Sequence, residues 1–208
     1  MNIAKIVQYT NLEVNEIFYS LQGEGGRAGE PSIFIRLKGC SAYKACAKSG
    51  VECDTLWQSG TEMSIQKIED IISKYKGKWI VWTGGEPTDQ LDSYHIEYFR
   101  KLGYKQAIEC SGIRPPDGKF DYIALSPKVA EHIIIKKWEG VHINEVRYVV
   151  HENQSIPPRQ IKADKYYISP HCDGPNLNEH NLNWCIDLCK QNPDWNLSIQ
   201  QHKIWNVR

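Results

Sequence analysis

Apolar positions recur with two different periods along this chain. Ser32–Leu37 (SIFIRL) is a short run rich in β-branched and aromatic residues and reads as a strand. Ile65, Ile68, Ile71, Ile72 and Tyr75 recur at helical spacing, so Ser64–Tyr75 predicts a helix that Ser64 can cap. Lys78–Thr83 (KWIVWT) reads as a second strand, and Ser93–Leu102 as a second helix closed by Gly103. Strand-like runs follow at Gln106–Cys110, Asp121–Ser126, Glu145–Val150 and Lys165–Ser169. A last helix fits Glu179–Lys190, and a last strand fits Asn196–Gln200.

Strands alternating with helices imply parallel βαβ units. About seven strands with three clear helices are too few helices for a full eight-unit barrel. The pattern therefore predicts an α/β fold with an incomplete or open barrel rather than a doubly wound sheet, although pattern alone admits both. A length of 208 residues fits one domain over 1–208, and 41% hydrophobic residues suffice for a core. Pro115–Gly118 and Ser155–Pro158 read as surface loops.

Charge narrows the partners. Lys plus Arg and Asp plus Glu each number 25, and a net charge of zero argues against nucleic-acid binding, which needs a basic footprint. A small anionic ligand stays open, because a pocket needs only one or two cations. No run approaches about 18 apolar residues, so no membrane-spanning helix is expected. The first twenty residues hold no continuous apolar region of the kind a signal peptide carries, so the expected compartment is the cytoplasm.

Seven cysteines are an excess, and Cys40, Cys46 and Cys53 fall within fourteen residues. In a reducing compartment such clusters are more often metal ligands or reactive thiols than disulfides. They follow the first predicted strand, where α/β folds build active sites. Three thiolates can hold three irons of a [4Fe-4S] cube and leave the fourth open to a chelator. A zinc site with a ligand still to be found, or coincidence, is the alternative. Thr83-Gly84-Gly85-Glu86-Pro87 ends the next strand, where glycines let backbone come close to a ligand; alone it also reads as an ordinary turn. Tyr19-Ser20-Leu21-Gln22-Gly23-Glu24-Gly25-Gly26 offers Gln22 and Glu24 to a flat heterocycle edge, or is a flexible glycine loop. Cys110, Cys185 and Cys189 read as small core residues, and a second metal site from Cys172, Cys185 and Cys189 is the remoter reading.

A three-cysteine loop ending Cys53-Asp54-Thr55, followed by a strand and GGEP, resembles the radical S-adenosylmethionine enzymes. The leader EIFYSLQGEG with FIRLKGC, Ser126-Pro127-Lys128 and the ending SIQQHKIWNVR narrow this resemblance to the 7-carboxy-7-deazaguanine synthase family of the deazapurine (queuosine) pathway. The resemblance implies a reduced, partial barrel, usually homodimeric. It implies conversion of 6-carboxy-5,6,7,8-tetrahydropterin to 7-carboxy-7-deazaguanine and ammonia. It further implies a [4Fe-4S] cluster, S-adenosylmethionine, a divalent cation (normally Mg²⁺), and a reducing partner such as a flavodoxin or ferredoxin. No side chain is assigned a catalytic role, because the cofactor carries the radical.

Carried over by position, Cys40, Cys46 and Cys53 ligate the cluster. Five residues separate the first pair and six the second, wider than the family's usual spacing, so Cys46 is the middle ligand as the remaining candidate. Thr55 offers its hydroxyl to Mg²⁺, a hard oxygen on a hard cation. Leu21, Gln22, Gly23 and Glu24 face the pterin edge, Arg36 its carboxylate, and Thr83 and His202 the rest of the substrate. Arg208 is expected to touch substrate through its backbone carboxylate; otherwise it is a frayed terminus. Glu52, Asp54, Gly84, Gly85, Glu86, Ser126, Pro127 and Lys128 fall to S-adenosylmethionine, with Cys172 and Asp173 as weaker matches, and Lys128 reads equally as a solvated lysine. The rivals are an activating enzyme that makes a glycyl radical on a partner protein, and a non-catalytic Fe–S or zinc module.

Overall fold

The computed structural model describes residues 11–48, 53, 56–172, 174 and 176–208. The strands are β1 (Asn11–Leu21), β2 (Pro31–Leu37), β3 (Thr61–Ser64), β4 (Trp79–Gly84), β5 (Lys105–Cys110), β6 (Tyr122–Leu125), β7 (Glu145–Val150), β8 (Lys165–Pro170) and β9 (Asn196–Leu197). The helices are α1 (Tyr43–Lys48), α2 (Ile65–Ile72), α3 (Ser93–Lys101), α4 (Glu131–Lys137), α5 (Glu179–Gln191) and α6 (Gln201–Trp205). Among the described residues the strands form one sheet in the order β3-β1-β2-β4-β5-β6-β7-β8-β9. From β2 to β9 neighbours run parallel, and β1 runs antiparallel to both β2 and β3. The sheet is open, as an incomplete barrel requires.

Period-two alternation gives the sheet two unlike faces. Ile33, Ile35 and Leu37 of β2, Ile80 and Trp82 of β4, Ile108 of β5, Leu125 of β6, Val146 of β7 and Ile168 of β8 form one buried cluster. Ile65, Ile68 and Ile72 of α2, Ile96 and Phe99 of α3, Ile134 of α4 and Cys185 of α5 complete it, so this is the helix-covered face. The inner face carries only a small apolar cluster, Phe18, Phe34, Val81 and Ala107, with Phe18 stacked on Phe34 at 4.9 Å. Trp79 and Tyr122 pack against it, and Arg36, Thr83, Glu109, Glu145 and Arg147 share this face.

β1 serves both faces because of a bulge. Its register steps from Val14 opposite Leu37 to Glu16 opposite Arg36, leaving Asn15 as the extra residue. Leu12 and Val14 therefore enter the helix-covered core, whereas Phe18 joins the inner cluster. The Asn15 amide donates to the Ser59 carbonyl at 2.7 Å, which ties the bulge to the chain after the third cysteine.

The expected strands and helices are present, several of them shifted or shortened at an end. Ser64 does cap α2, accepting from the Lys67 amide at 3.2 Å, but the helix stops at Ile72. β9 is shorter than Asn196–Gln200: it ends at Leu197, and residues 198–200 lead into α6. Cys110 and Cys185 are buried, as core cysteines should be. Strands β1 and β3 and helices α1, α4 and α6 were not legible from periodicity. In β1 the bulge breaks the alternation, and α4 reads EHIIIKK, a β-branched run that only its packing against the sheet turns into a helix. No helix among the described residues is long and apolar enough to cross a membrane.

The three isoleucines of α4 test the facing. Ile134 is fully buried and Ile133 is 36% exposed. Ile134→Ala is expected to cost about 2–5 kcal/mol by creating a cavity, and Ile133→Ala at most about 1 kcal/mol, read as urea midpoints. Equal losses at the two would refute this facing.

Candidate active site

The C-terminal ends of β2, β4 and β5 lie side by side. Arg36 is in register with Thr83, and the Thr83 hydroxyl donates to Glu109 Oε2 at 3.2 Å. Above them on the inner face opens a cavity of about 820 Å³. Leu21, Gln22, Gly23, Glu24, Arg36, Thr83, His202 and Arg208 all line it, with Glu16, Phe18, Phe34 and Glu109. Residues up to 188 positions apart thus meet in one place: the Ser20 hydroxyl donates to the Arg208 carbonyl at 2.5 Å.

The cavity floor is an ion network centred on Arg147. Its Nη1 lies 2.7 Å from Glu24, its Nη2 2.7 Å from Glu109 and its Nε 2.9 Å from Glu145. The carboxylates are themselves engaged. Gln22 Nε2 donates to Glu109 Oε1 at 3.1 Å. The Tyr122 hydroxyl and the Gly26 amide donate to Glu145 Oε2 at 2.7 and 2.8 Å. Gln200 Nε2 donates to Glu24 Oε1 at 3.1 Å. Burial would push the Glu109 carboxyl up, but the Arg147 guanidinium, with Gln22 and Thr83, outweighs it and holds the acid below its ordinary value. Burial, and then the Glu145 charge, pushes the Tyr122 phenol up, so it stays a donor.

The glycines of the leader make room for protein rather than for ligand. A Cβ on Gly23 would sit 2.2 Å from His202 Nδ1, and one on Gly25 would sit 2.2 Å from Glu145 Oε1. Gly25 also has φ +65°, which favours glycine. The Gln201 amide donates to the Gly23 carbonyl at 2.9 Å, so α6 is clamped onto this loop.

The cysteines lie beside this cavity, at the same end of the sheet. A Cβ on Gly85 would fall 1.7 Å from the Gly39 carbonyl oxygen and 3.1 Å from Cys40 Cβ. The Glu86 amide donates to that same carbonyl at 2.9 Å. GGEP is therefore the seat of the first cysteine. The Glu86 carboxylate is buried and fully engaged. Oε1 accepts from the Thr88 amide and hydroxyl at 3.2 and 2.6 Å, and Oε2 accepts from the Ser111 amide at 2.9 Å and from its hydroxyl. Ser126 and Lys128 are zipped to this point, their amides donating to the carbonyls of Cys110 and Ser111 at 2.9 and 3.0 Å. Pro127 lies between them. Both segments expected at S-adenosylmethionine are thus wired to the Gly39–Cys40 backbone through Ser111 and Glu86.

The thiols sense one another and these segments. Burial pushes the Cys40 thiol up to about 11, with Glu86 and Cys46 adding to the rise. Burial also raises the Cys46 thiol, opposed by the Lys128 ammonium and reinforced by Cys53. Unlike Cys110 and Cys185, none of these three cysteines is buried in the core. Among the described residues no three His, Cys, Asp or Glu side chains converge on a single metal ion. A cube with one iron per thiolate does not need three ligands on one ion, and the half-buried thiols of Cys40 and Cys46 with the exposed one of Cys53 are open to such a group. Cys172 stands just past β8, its thiol donating to the Pro170 carbonyl at 3.7 Å. Glu52, Asp54, Thr55 and Asp173 lie outside the described residues.

Glu109, Glu145, Arg147 and Glu16 were missed by sequence reasoning. A signal existed for two of them. In EVRYVV the charges at 145 and 147 are two apart in an otherwise apolar strand, so they share a face, and a shared charged face on a barrel strand points inward.

Such an open, mainly parallel sheet, with cysteines beside a glycine turn at its carboxyl end, has the partial-barrel architecture, and the sequence relatives make the chain a radical S-adenosylmethionine enzyme. QueE from Escherichia coli superposes with a TM-score of 0.68 over 97% of this chain and 99% of that one, and at 22% identity it carries the fold alone. Curated 7-carboxy-7-deazaguanine synthases are similar in sequence over nearly full length. The Bacteroides thetaiotaomicron protein is 34% identical over 94% of this chain and 98% of its own. The Haemophilus influenzae protein is 36% identical over 95% and 94%, and the Burkholderia multivorans protein is 32% identical over 93% and 98%. The chain matches no protein-family model. It belongs to the 7-carboxy-7-deazaguanine synthase family, radical lyases of queuosine biosynthesis.

Two substitutions test this construction. Arg147→Met strands three carboxylates on the inner face and is expected to cost about 3–5 kcal/mol. Glu109, with its acid form disfavoured in the fold, stabilises fully above the ordinary carboxylate value of 4.5. That contribution is lost as pH falls through the lowered folded value. The wild-type loss on acidification should therefore be blunted in Arg147→Met, measured as urea unfolding against pH. Gly85→Ala must displace Gly39 and Cys40; iron bound after anaerobic reconstitution should fall severalfold while the far-ultraviolet circular dichroism is kept.

Proposed function

We propose that this chain converts 6-carboxy-5,6,7,8-tetrahydropterin to 7-carboxy-7-deazaguanine with release of ammonia, in the cytoplasm. The observation that carries this reading is the cavity itself. Eight residues expected at the substrate, from four separate segments, line one space beside the cysteines and GGEP.

The two ends of the cavity differ in the way this substrate requires. Arg36 offers a guanidinium suited to the 6-carboxylate. Glu109 supplies the opposite chemistry. It takes Arg147 and Gln22 on one oxygen and Thr83 on the other. A carboxylate has about four acceptor positions, so one remains for an N–H of the aminopyrimidine edge. Phe18 and Phe34 offer a stacked apolar wall to the ring, and His202, packed on Gly23, bounds the opposite side. These residues orient the pterin and exclude water, so that one C–H is presented in one direction.

Cys40, Cys46 and Cys53 would hold the [4Fe-4S] cluster, and the segments Gly84–Glu86 and Ser126–Lys128 would offer mainly backbone groups to S-adenosylmethionine, since the Glu86 carboxylate is already engaged. When bound, the cluster and S-adenosylmethionine supply the one-electron chemistry that starts the reaction. Mg²⁺ held at Thr55 would set the substrate carboxylate. Homodimerisation and a flavodoxin- or ferredoxin-type reductant are inherited from the family.

The deciding assay is anaerobic. Reconstituted protein with S-adenosylmethionine, dithionite and Mg²⁺ should turn the carboxytetrahydropterin into the deazaguanine. Cys46→Ser should abolish product and lower bound iron, whereas Cys189→Ser should do neither. Cleavage of S-adenosylmethionine without product from wild type would move the chain to an activating-enzyme role. A colourless zinc protein would refute the radical reading.

A further inference from the structure

One carboxylate in the cavity has no part in the reading above. Glu16 Oε1 stands 2.7 Å from Arg36 Nε, and Glu16 Oε2 stands 2.6 Å from Arg208 Nη2. Both contacts are ion pairs without an aligned hydrogen bond, and on Arg36 the buried Nε–H is not directed at the oxygen. Arg36 donates no aligned hydrogen bond to any described residue, although a guanidinium has five N–H groups. Both guanidinium carbons lie near the Phe18 ring, at 5.5 Å for Arg36 and 5.4 Å for Arg208.

The arrangement is built by β1. After the bulge, Glu16, Phe18 and Ser20 share the inner face. Glu16 holds the Arg208 guanidinium, Phe18 lies by it, and Ser20 holds the Arg208 carbonyl. Arg208 is thus laid along three same-face positions of one strand. Glu16 and Arg36 alone would cancel, and the Arg208 guanidinium adds one positive charge beside that pair.

Building on the pterin reading, we propose that Glu16 is a placeholder for the substrate carboxylate on Arg36, and that the Arg208 side chain makes the exchange selective. An incoming carboxylate with bidentate geometry replaces the misaligned Glu16 on Arg36, and Arg208 keeps Glu16 neutralised. A heterocycle without a carboxylate leaves the Glu16–Arg36 pair in place. The Glu16–Arg208 pair therefore sets how strongly the site prefers carboxylated over plain rings.

The test is binding by the full chain, with no radical chemistry. Pterin-6-carboxylate and unsubstituted pterin are titrated separately by fluorescence against wild type, Arg208→Gln, Glu16→Gln and the double variant. The Arg208 guanidinium is 73% exposed and Glu16→Gln is isosteric, so folding is not at stake. Arg208→Gln should weaken pterin-6-carboxylate by roughly threefold to tenfold and leave pterin unchanged. Glu16→Gln should tighten pterin-6-carboxylate, and the double variant should return towards wild type. Arg208→Lys should restore most of the preference. Wild type that prefers the carboxylated compound, with a ratio that none of the variants moves, overturns this inference and keeps the pterin reading. Wild type that binds neither compound overturns both.

Discussion

One guanidinium on the inner face holds the site together. Arg147 of β7 reaches Glu24 from the loop after β1, Glu109 from β5 and Glu145 from its own strand. Three carboxylates cannot share a buried space without a cation between them, and one cation cannot neutralise all three. The remainder is distributed as hydrogen bonds, from Gln22, Thr83, Tyr122, Gly26 and Gln200. Gln22 and Gly26 come from the leader, Thr83 from β4, Tyr122 from β6 and Gln200 from the chain before α6. The network therefore does more than fill the floor. It fixes the leader loop, the ends of three strands and the tail against one another, so the cavity's outline follows from where a single charge sits.

The backbone has been fitted to that network at a few positions. Gly25 exists in this leader because Glu145 occupies the space of a side chain there, and Gly23 because His202 does. Gly85 exists because the Gly39 carbonyl passes where its Cβ would be. In each case the glycine accommodates another part of the same chain, and the ligand-facing groups are the side chains and backbone thereby brought close. A motif that reads as a ligand cradle is first a packing solution. The leader and GGEP, far apart in sequence, are alike in this: each is pressed on by a residue that itself belongs to the site.

How much of this was legible follows from the same facts. The helix-covered face was, because it is built of strands such as SIFIRL and KWIVWT, whose residues are buried whichever way the sheet curves. The residues at the cavity were legible through motif resemblance, and Leu21, Gln22, Arg36, Thr83 and His202 do line one space. The acidic floor was not. Glu109 in QAIEC looks like a strand-end residue that solvent would take, and only the register of β4 and β5 turns it inward against Thr83. Glu16 was hidden for a different reason. Counted by strict alternation from Leu12 it falls on the helix-covered face, and the bulge at Asn15 reverses that parity. In the sequence the bulge shows only as broken alternation, which hides the strand and does not tell which face Glu16 takes.

The widened cysteine spacing can be understood in the same terms. Six residue steps from Cys40 to Cys46 would reach about 20 Å as extended chain, at roughly 3.3 Å per step. Here most of that stretch is coiled, since α1 runs from Tyr43 to Lys48 and the Cys46 amide donates to the Ala42 carbonyl at 3.1 Å. A helical step rises only about 1.5 Å. The added residues therefore lengthen the chain without carrying its thiol away. The start of the stretch is held independently: the Ser41 amide and hydroxyl donate to Asp89 at 2.8 and 2.7 Å, in the turn that follows GGEP. With one end anchored to the sheet and the excess wound into a helix, Cys46 stays within electrostatic reach of Cys40, Cys53 and Lys128. The departure in spacing lengthens the path between Cys40 and Cys46, and α1 takes up that length beyond the end of β2.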